Sequence, residues 1–147
     1  MNDLSFTCKF REKTDNVAEN HVRIVGSNKW CSSSVGRSTT EGKQQDLNLS
    51  VPGCMYYSTF VHEFLHAYGI HHESNSPNRD DYITTNYTNI LEKYWPHYHT
   101  CKSCIDYGVP YDGRSFMSAE GYAYHGVAVD QNLPIIISKV HISYLFS

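Results

Sequence analysis

One stretch constrains this chain more than any other: HEFLHAYGIHHE, from His62 to Glu73. His62 and His66 are four residues apart. On a helix that spacing puts both imidazoles on one face, about 40° apart around the axis. Gly69 then lets the backbone leave the helix, with a positive φ if needed. His72 can swing back as a third ligand. Two histidines at this spacing suit one tetrahedral Zn²⁺, and three leave a coordination position open, which separates catalytic from structural zinc. Glu63 adjoins His62 on the helix surface. It is free to take a proton from a water that the metal has made acidic. With nine His in 147 residues, the pattern HExxHxxGxxH arises by chance in about one such chain in ten thousand. His71 is off the ligand spacing and is expected at the surface or in a supporting position.

The flanking sequence places this motif on a helix. From Ser58 to Tyr68 (STFVHEFLHAY), Phe60, Phe64 and Tyr68 recur every four residues, as do Val61 and Leu65. Ser58 or Thr59 is expected to cap the helix, and Gly69 to end it. Upstream, His21 to Val25 (HVRIV) and Gln45 to Val51 (QDLNLSV) alternate and read as strands. The Gly/Ser/Thr-rich stretch between them reads as a short strand with exposed turns, and Pro52-Gly53 as a turn. Arg79 to Trp95 is expected to start as turn and end as helix. Beyond Pro96, Gly, Pro and Asp punctuation predicts loop. The sum is one α+β domain, with strands, then a helix, then a largely irregular half.

Composition narrows the partners and the compartment. A net charge of −3 and a pI near 6.3 give no footprint for nucleic acid. No apolar run reaches the length of a membrane span. The start, MNDLSFTCKF, lacks the basic and apolar regions of a signal peptide. The five cysteines are Cys8, Cys31, Cys54, Cys101 and Cys104. Without paired zinc-ribbon spacing they lean toward an oxidising compartment. Asn48 and Asn86 head glycosylation sequons. Cys101 and Cys104 (CKSC) can close a small local disulfide; two Cys with no second pair argue against a second metal site.

The motif and its surroundings resemble the metzincin zinc peptidases, and the astacin family within them. Glu73 follows the third His. Arg79-Asp80, Asp81-Tyr82-Ile83, Asn86-Tyr87 and Asn89-Ile90 follow in turn. Upstream lie Trp30-Cys31-Ser32, Ser34-Val35-Gly36-Arg37 and Gly53-Cys54. Downstream, Pro110 to Ser118 (PYDGRSFMS) resembles the family's Met-turn. The resemblance covers nearly all of residues 6 to 125. It implies a secreted zinc endopeptidase acting on polypeptides. Its twisted sheet and zinc helix (about residues 1–69) would sit above a cleft, with an irregular lower subdomain (about residues 70–147) below. It implies one catalytic Zn²⁺ on His62, His66 and His72, with Glu63 as general base and proton shuttle. Met117 would pack beneath the metal, and Cys31 would pair with Cys54. Residues Cys31 to Arg37 would lie close to a sheet edge that pairs with an extended peptide.

The sequence departs from the family in two places. The family's Met-turn carries a Tyr two residues after the Met, a further metal ligand that swings to stabilise the transition state. Here that position is Ala119, and Tyr122 and Tyr124 stand at the wrong offset. Losing one such donor costs on the order of 3 kcal/mol, about a hundred-fold in rate. The ends also lack segments of the family domain. Cys8, whose family partner is a terminal Cys, is expected to be unpaired, and Glu73 lacks the new N-terminus it contacts in the family. These departures support an alternative, a zinc-binding pseudoprotease or a non-functional fragment with a peptide-binding cleft only. The intact Glu63 supports a working, weakened peptidase.

Overall fold

The computed structural model describes residues 11–14, 19–27, 30–118 and 126–139. Cys8, Ala119, Tyr122, Tyr124 and both terminal stretches lie outside the described residues. The architecture is α+β, as the order of patterns predicts.

Strands β1 (His21–Ser27), β2 (Ser32–Ser33) and β3 (Gln44–Ser50) form one sheet in the order β1-β3-β2. β1 runs parallel to β3, with His21 opposite Gln44. β2 runs antiparallel on the other side, with Ser33 opposite Leu47. The alternation in β3 has the expected period of two: Leu47 and Leu49 are buried, and Asp46 and Asn48 between and beside them are not.

Helix α1 (Tyr57–Ala67) packs on that inward face. Phe60 and Phe64, stacked 5.7 Å apart, rest against Leu47, Leu49 and Cys54. Complete burial of a residue such as Leu47 stabilises by about 2 kcal/mol. The Pro52-Gly53 turn forms, closed by Cys54 N–H to the Ser50 carbonyl at 2.7 Å. A disulfide joins Cys31 to Cys54, spanning 23 residues, a loop size worth about 3 kcal/mol. It ties the approach to β2 onto the turn that leads into α1.

The helix starts at Tyr57, one residue before the expected cap, and no side chain caps it. Ser58 and Thr59 therefore lie inside the first turn. Docking of Phe60 and Phe64 on the sheet, next to the pinned Cys54, sets the entry point. Tertiary packing overrides the local capping signal here.

The second half has its own core of Ile83, Ile90, Ala128, Ile135 and Ile136, ringed by tyrosines. Residues 79–95 depart from expectation. They form 3-10 turns (Arg79–Asp81, Tyr87–Asn89) around a strand β4 (Ile83–Thr85), and a longer 3-10 helix (Glu92–Tyr98) that contains Pro96. β4 pairs antiparallel with β5 (Ile136–Ser138), Ile83 opposite Ser138. Local pattern could not reveal this strand, because its partner lies far along the chain. No helix among the described residues is long and apolar enough to cross a membrane.

Arg79 is the polar centre of this half. It is only 3% exposed. Its Nη1 donates to the carbonyls of Ser74 (2.6 Å) and Tyr98 (2.5 Å), and its Nε to Asp80 (3.1 Å). Asp80 is 69% exposed, so the ion pair itself adds little. The carbonyls are what need the guanidinium. Arg79→Met is expected to lower the unfolding free energy by about 2–4 kcal/mol in a urea titration, because it leaves the Ser74 carbonyl unpaired and the Tyr98 carbonyl with only the Tyr87 hydroxyl. Asp80→Asn is expected to cost about 0.5 kcal/mol or less. Equal losses in the two variants would contradict this account.

Candidate metal centre

Helix α1 ends in a Schellman arrangement. Ile70 N–H reaches the Leu65 carbonyl at 3.0 Å, and Gly69 N–H the His66 carbonyl at 2.8 Å. Gly69 has φ +97°, a conformation only glycine adopts without cost. A Cβ there would meet the Gly36 Cα at an ordinary 3.7 Å, so backbone conformation rather than space demands the glycine. The reversal returns the chain across the last helical turn and brings His72 to His62 and His66.

The three Nε2 atoms converge. His72 Nε2 lies 3.2 Å from that of His62 and 3.1 Å from that of His66. Tetrahedral bonds of 2.0–2.1 Å to one zinc would separate two ligand nitrogens by about 3.3 Å. The opposite ring nitrogens settle the tautomers. His62 Nδ1–H donates to the Phe116 carbonyl (2.6 Å) and His66 Nδ1–H to the Ile70 carbonyl (2.8 Å). Both Nε2 lone pairs are thereby left for a metal. Burial, with the neighbouring histidines, holds His72 down to about 4, and burial also lowers His66. These two rings are thus neutral near pH 7, the form that ligates. Donor type, spacing and tautomer all fit Zn²⁺.

Asn75 supports the third ligand. Its backbone N–H donates to the His72 carbonyl at 2.9 Å, and its side chain favours the protonated form of the His72 ring. Its Nδ2 donates to the carbonyls of His99 (2.7 Å) and His97 (3.0 Å). One side chain thus anchors the ligand-bearing segment to the loop at residues 97–101.

Glu63 is buried at 6% exposure beside His62. Burial raises its pKa, while the nearby His62 charge and the Ser33 N–H pull it back. Ser33 on β2 thus lies near the carboxylate. Met117 is 1% exposed, and its carbonyl accepts the Glu73 N–H at 2.7 Å. Glu73 Oε1 in turn accepts the Asp112 N–H at 2.9 Å. Residues 112–117 are clamped to the His72 segment in this way, and the Phe116 carbonyl is brought onto His62. Phe116 also meets Tyr57 edge-on at 6.3 Å.

The other singled-out residues lie elsewhere. His71 is exposed, beside Cys101 and Cys104, which are joined as a disulfide. Asn48 sits within β3 and donates to Ser32 Oγ (3.3 Å); Asn86 donates to the Pro134 carbonyl (3.3 Å). Sequence reasoning missed Ser33, Asn75 and the Ile70 and Phe116 carbonyls. Backbone groups carry no side-chain signal, and Asn75 is one Asn among many.

A family model described as Astacin, a peptidase family, matches residues 4–143. Blastula protease 10 of Paracentrotus lividus is 35% identical over 130 residues, covering 80% of this chain and 20% of that protein. Zinc metalloproteinase nas-38 of Caenorhabditis elegans is 36% identical over 108 residues, 72% of this chain and 14% of that protein. The chain therefore spans a small part of the length of these relatives. The solved structure of high choriolytic enzyme 1, a hatching enzyme zinc-protease from Oryzias latipes, superposes with a TM-score of 0.74 at 26% identity. That match covers 88% of this chain and 60% of the other.

Removal of the His72 support should be visible in metal binding. Asn75→Ala is expected to weaken zinc binding by about 10–100-fold in competition with a chromogenic chelator. Asn75→Asp loses the Nδ2–H donors to the His97 and His99 carbonyls as well and should also weaken binding. Unchanged affinity in Asn75→Ala would remove Asn75 from the site.

Proposed function

Because the chain belongs to the astacin family, we propose that it is a zinc-dependent endopeptidase acting on extended polypeptides. The observation that carries this reading is the convergence of three Nε2 lone pairs beside a buried carboxylate. His62, His66 and His72 would hold one zinc. When bound, zinc supplies a Lewis acid that polarises the scissile carbonyl and makes a water acidic.

The chain's own residues do the rest. Glu63 takes the proton of the attacking water and hands it to the leaving amine. Its partial burial favours a pKa above the ordinary carboxylate range, which suits a group that must both accept and release a proton. Among the described residues β2 has β3 on one side only, so its other edge is where an extended substrate would add as a strand. That edge lies close to Glu63, so substrate register and the base are set together. Met117 would pack beneath the metal.

The two hydrophobic clusters, one within residues 47–64 and one within residues 82–136, support a division near residues 69 and 70. The zinc ligands stand at that junction. Proteins of this family are typically secreted, and the two disulfides suit an oxidising compartment. Asn48 and Asn86 are the candidate glycosylation positions; both amides are engaged in the fold.

Glu63→Ala is expected to keep one zinc per chain and to lose peptide cleavage by about a hundred-fold or more. Chelation should abolish cleavage in the wild type, and zinc should restore it. Wild type that holds one zinc yet cleaves no faster than Glu63→Ala would establish the pseudoprotease reading instead. Ala119 stands where the family has a Tyr that stabilises the transition state. Ala119→Tyr is therefore expected to raise kcat by about a hundred-fold at unchanged zinc content. No gain in kcat would show that the rate does not depend on that donor.

A further inference from the structure

Next to the three-histidine cluster lies a group of different chemistry. His71, Cys101 and Cys104 each offer one ligand atom, and all three atoms lie within 4.8 Å of one another. The sequence offered only the two cysteines of CKSC; the fold supplies the histidine. Both sulfurs are half-buried and His71 is exposed.

The loop is held by more than its disulfide. Cys101 N–H donates to the Asn75 carbonyl at 2.7 Å, and Cys104 N–H to the Cys101 carbonyl at 3.4 Å. The Asn75 side chain grips the carbonyls of His97 and His99. Cys101 is therefore kept near His71 by backbone hydrogen bonds that do not involve sulfur. The disulfide spans a sequence separation of only 3, against 23 for Cys31–Cys54. It restrains the unfolded chain about half as much.

We propose that His71, Cys101 and Cys104 form a second metal site, closed by the Cys101–Cys104 disulfide and opened by its reduction. The ligand is a thiophilic divalent ion, zinc in particular. Two thiolates balance its charge, and their softness excludes magnesium and calcium. The C-x-x-C spacing is the one that places two sulfurs on one tetrahedral ion, and the imidazole is the third donor. A dithiol opens the S–S bond, giving up two hydrogens and ending as a disulfide; two thiols result. Metal binding then releases both thiol protons.

Cobalt(II) tests this directly. A thiolate ligand gives a ligand-to-metal charge-transfer band in the near ultraviolet, and an all-histidine site gives none. The metal-free chain is titrated with cobalt, either oxidised or reduced with a phosphine. The oxidised protein is expected to take one equivalent without the band, and the reduced protein two equivalents with it. Cys101→Ser/Cys104→Ser should stay at one equivalent without the band after reduction. His71→Ala should lose the second equivalent at stoichiometric cobalt. The first equivalent, kept in every variant, reports that the fold is intact. The proposal is overturned by a reduced wild type that binds only one equivalent. It is equally overturned by a band that survives in the double serine variant, or by a second equivalent indifferent to His71→Ala.

Discussion

The reversal at Gly69 is the contact on which the rest of the site depends, because the hydrogen bonds that end α1 also aim its ligands. Gly69 and Ile70 donate to carbonyls of the last helical turn. The Ile70 carbonyl, turned back by the same bend, receives the Nδ1–H of His66. The His66 carbonyl accepts from both Gly69 and Gly36, so the segment after β2 is docked on the same helix end. A helix terminus normally leaves its carbonyls to water or to a cap. Here they connect the reversal, the loop after β2 and one ligand ring.

The site is assembled from both halves of the chain. The first contributes α1 with Glu63 and, through β2, Ser33 beside it. The second contributes His72, the Asn75 that supports it, and the Phe116 carbonyl that orients His62. Arg79 secures that second half from within, since its guanidinium gathers carbonyls from two separate 3-10 segments, Glu73–Asn75 and Glu92–Tyr98. The irregular half can therefore hold ligands in place without much regular secondary structure.

Much of this was legible in the residues. The HExxHxxGxxH spacing marks three candidate ligands, a candidate base and a glycine reversal because helical periodicity relates the first two histidines without tertiary help. The alternation in β3 and the Phe60-Phe64 repeat are also local signals, and they point to the sheet and helix that carry the site. The failures were non-local. β4 pairs with a segment far along the chain, and the start of α1 follows from docking on Leu47, Leu49 and Cys54 rather than from a Ser or Thr cap.

By itself, then, the sequence determined the donor set, its helical spacing and the family, since these reside in side-chain identity and a 3.6-residue repeat. Only the tertiary structure decided which atoms support those donors. The tautomers of His62 and His66 depend on two backbone carbonyls, and the placement of His72 on the Asn75 N–H that its own carbonyl accepts. It also decided that His71, off the ligand spacing, stands against Cys101 and Cys104. Backbone groups are the same in every residue, so only folding selects which of them face a given side chain.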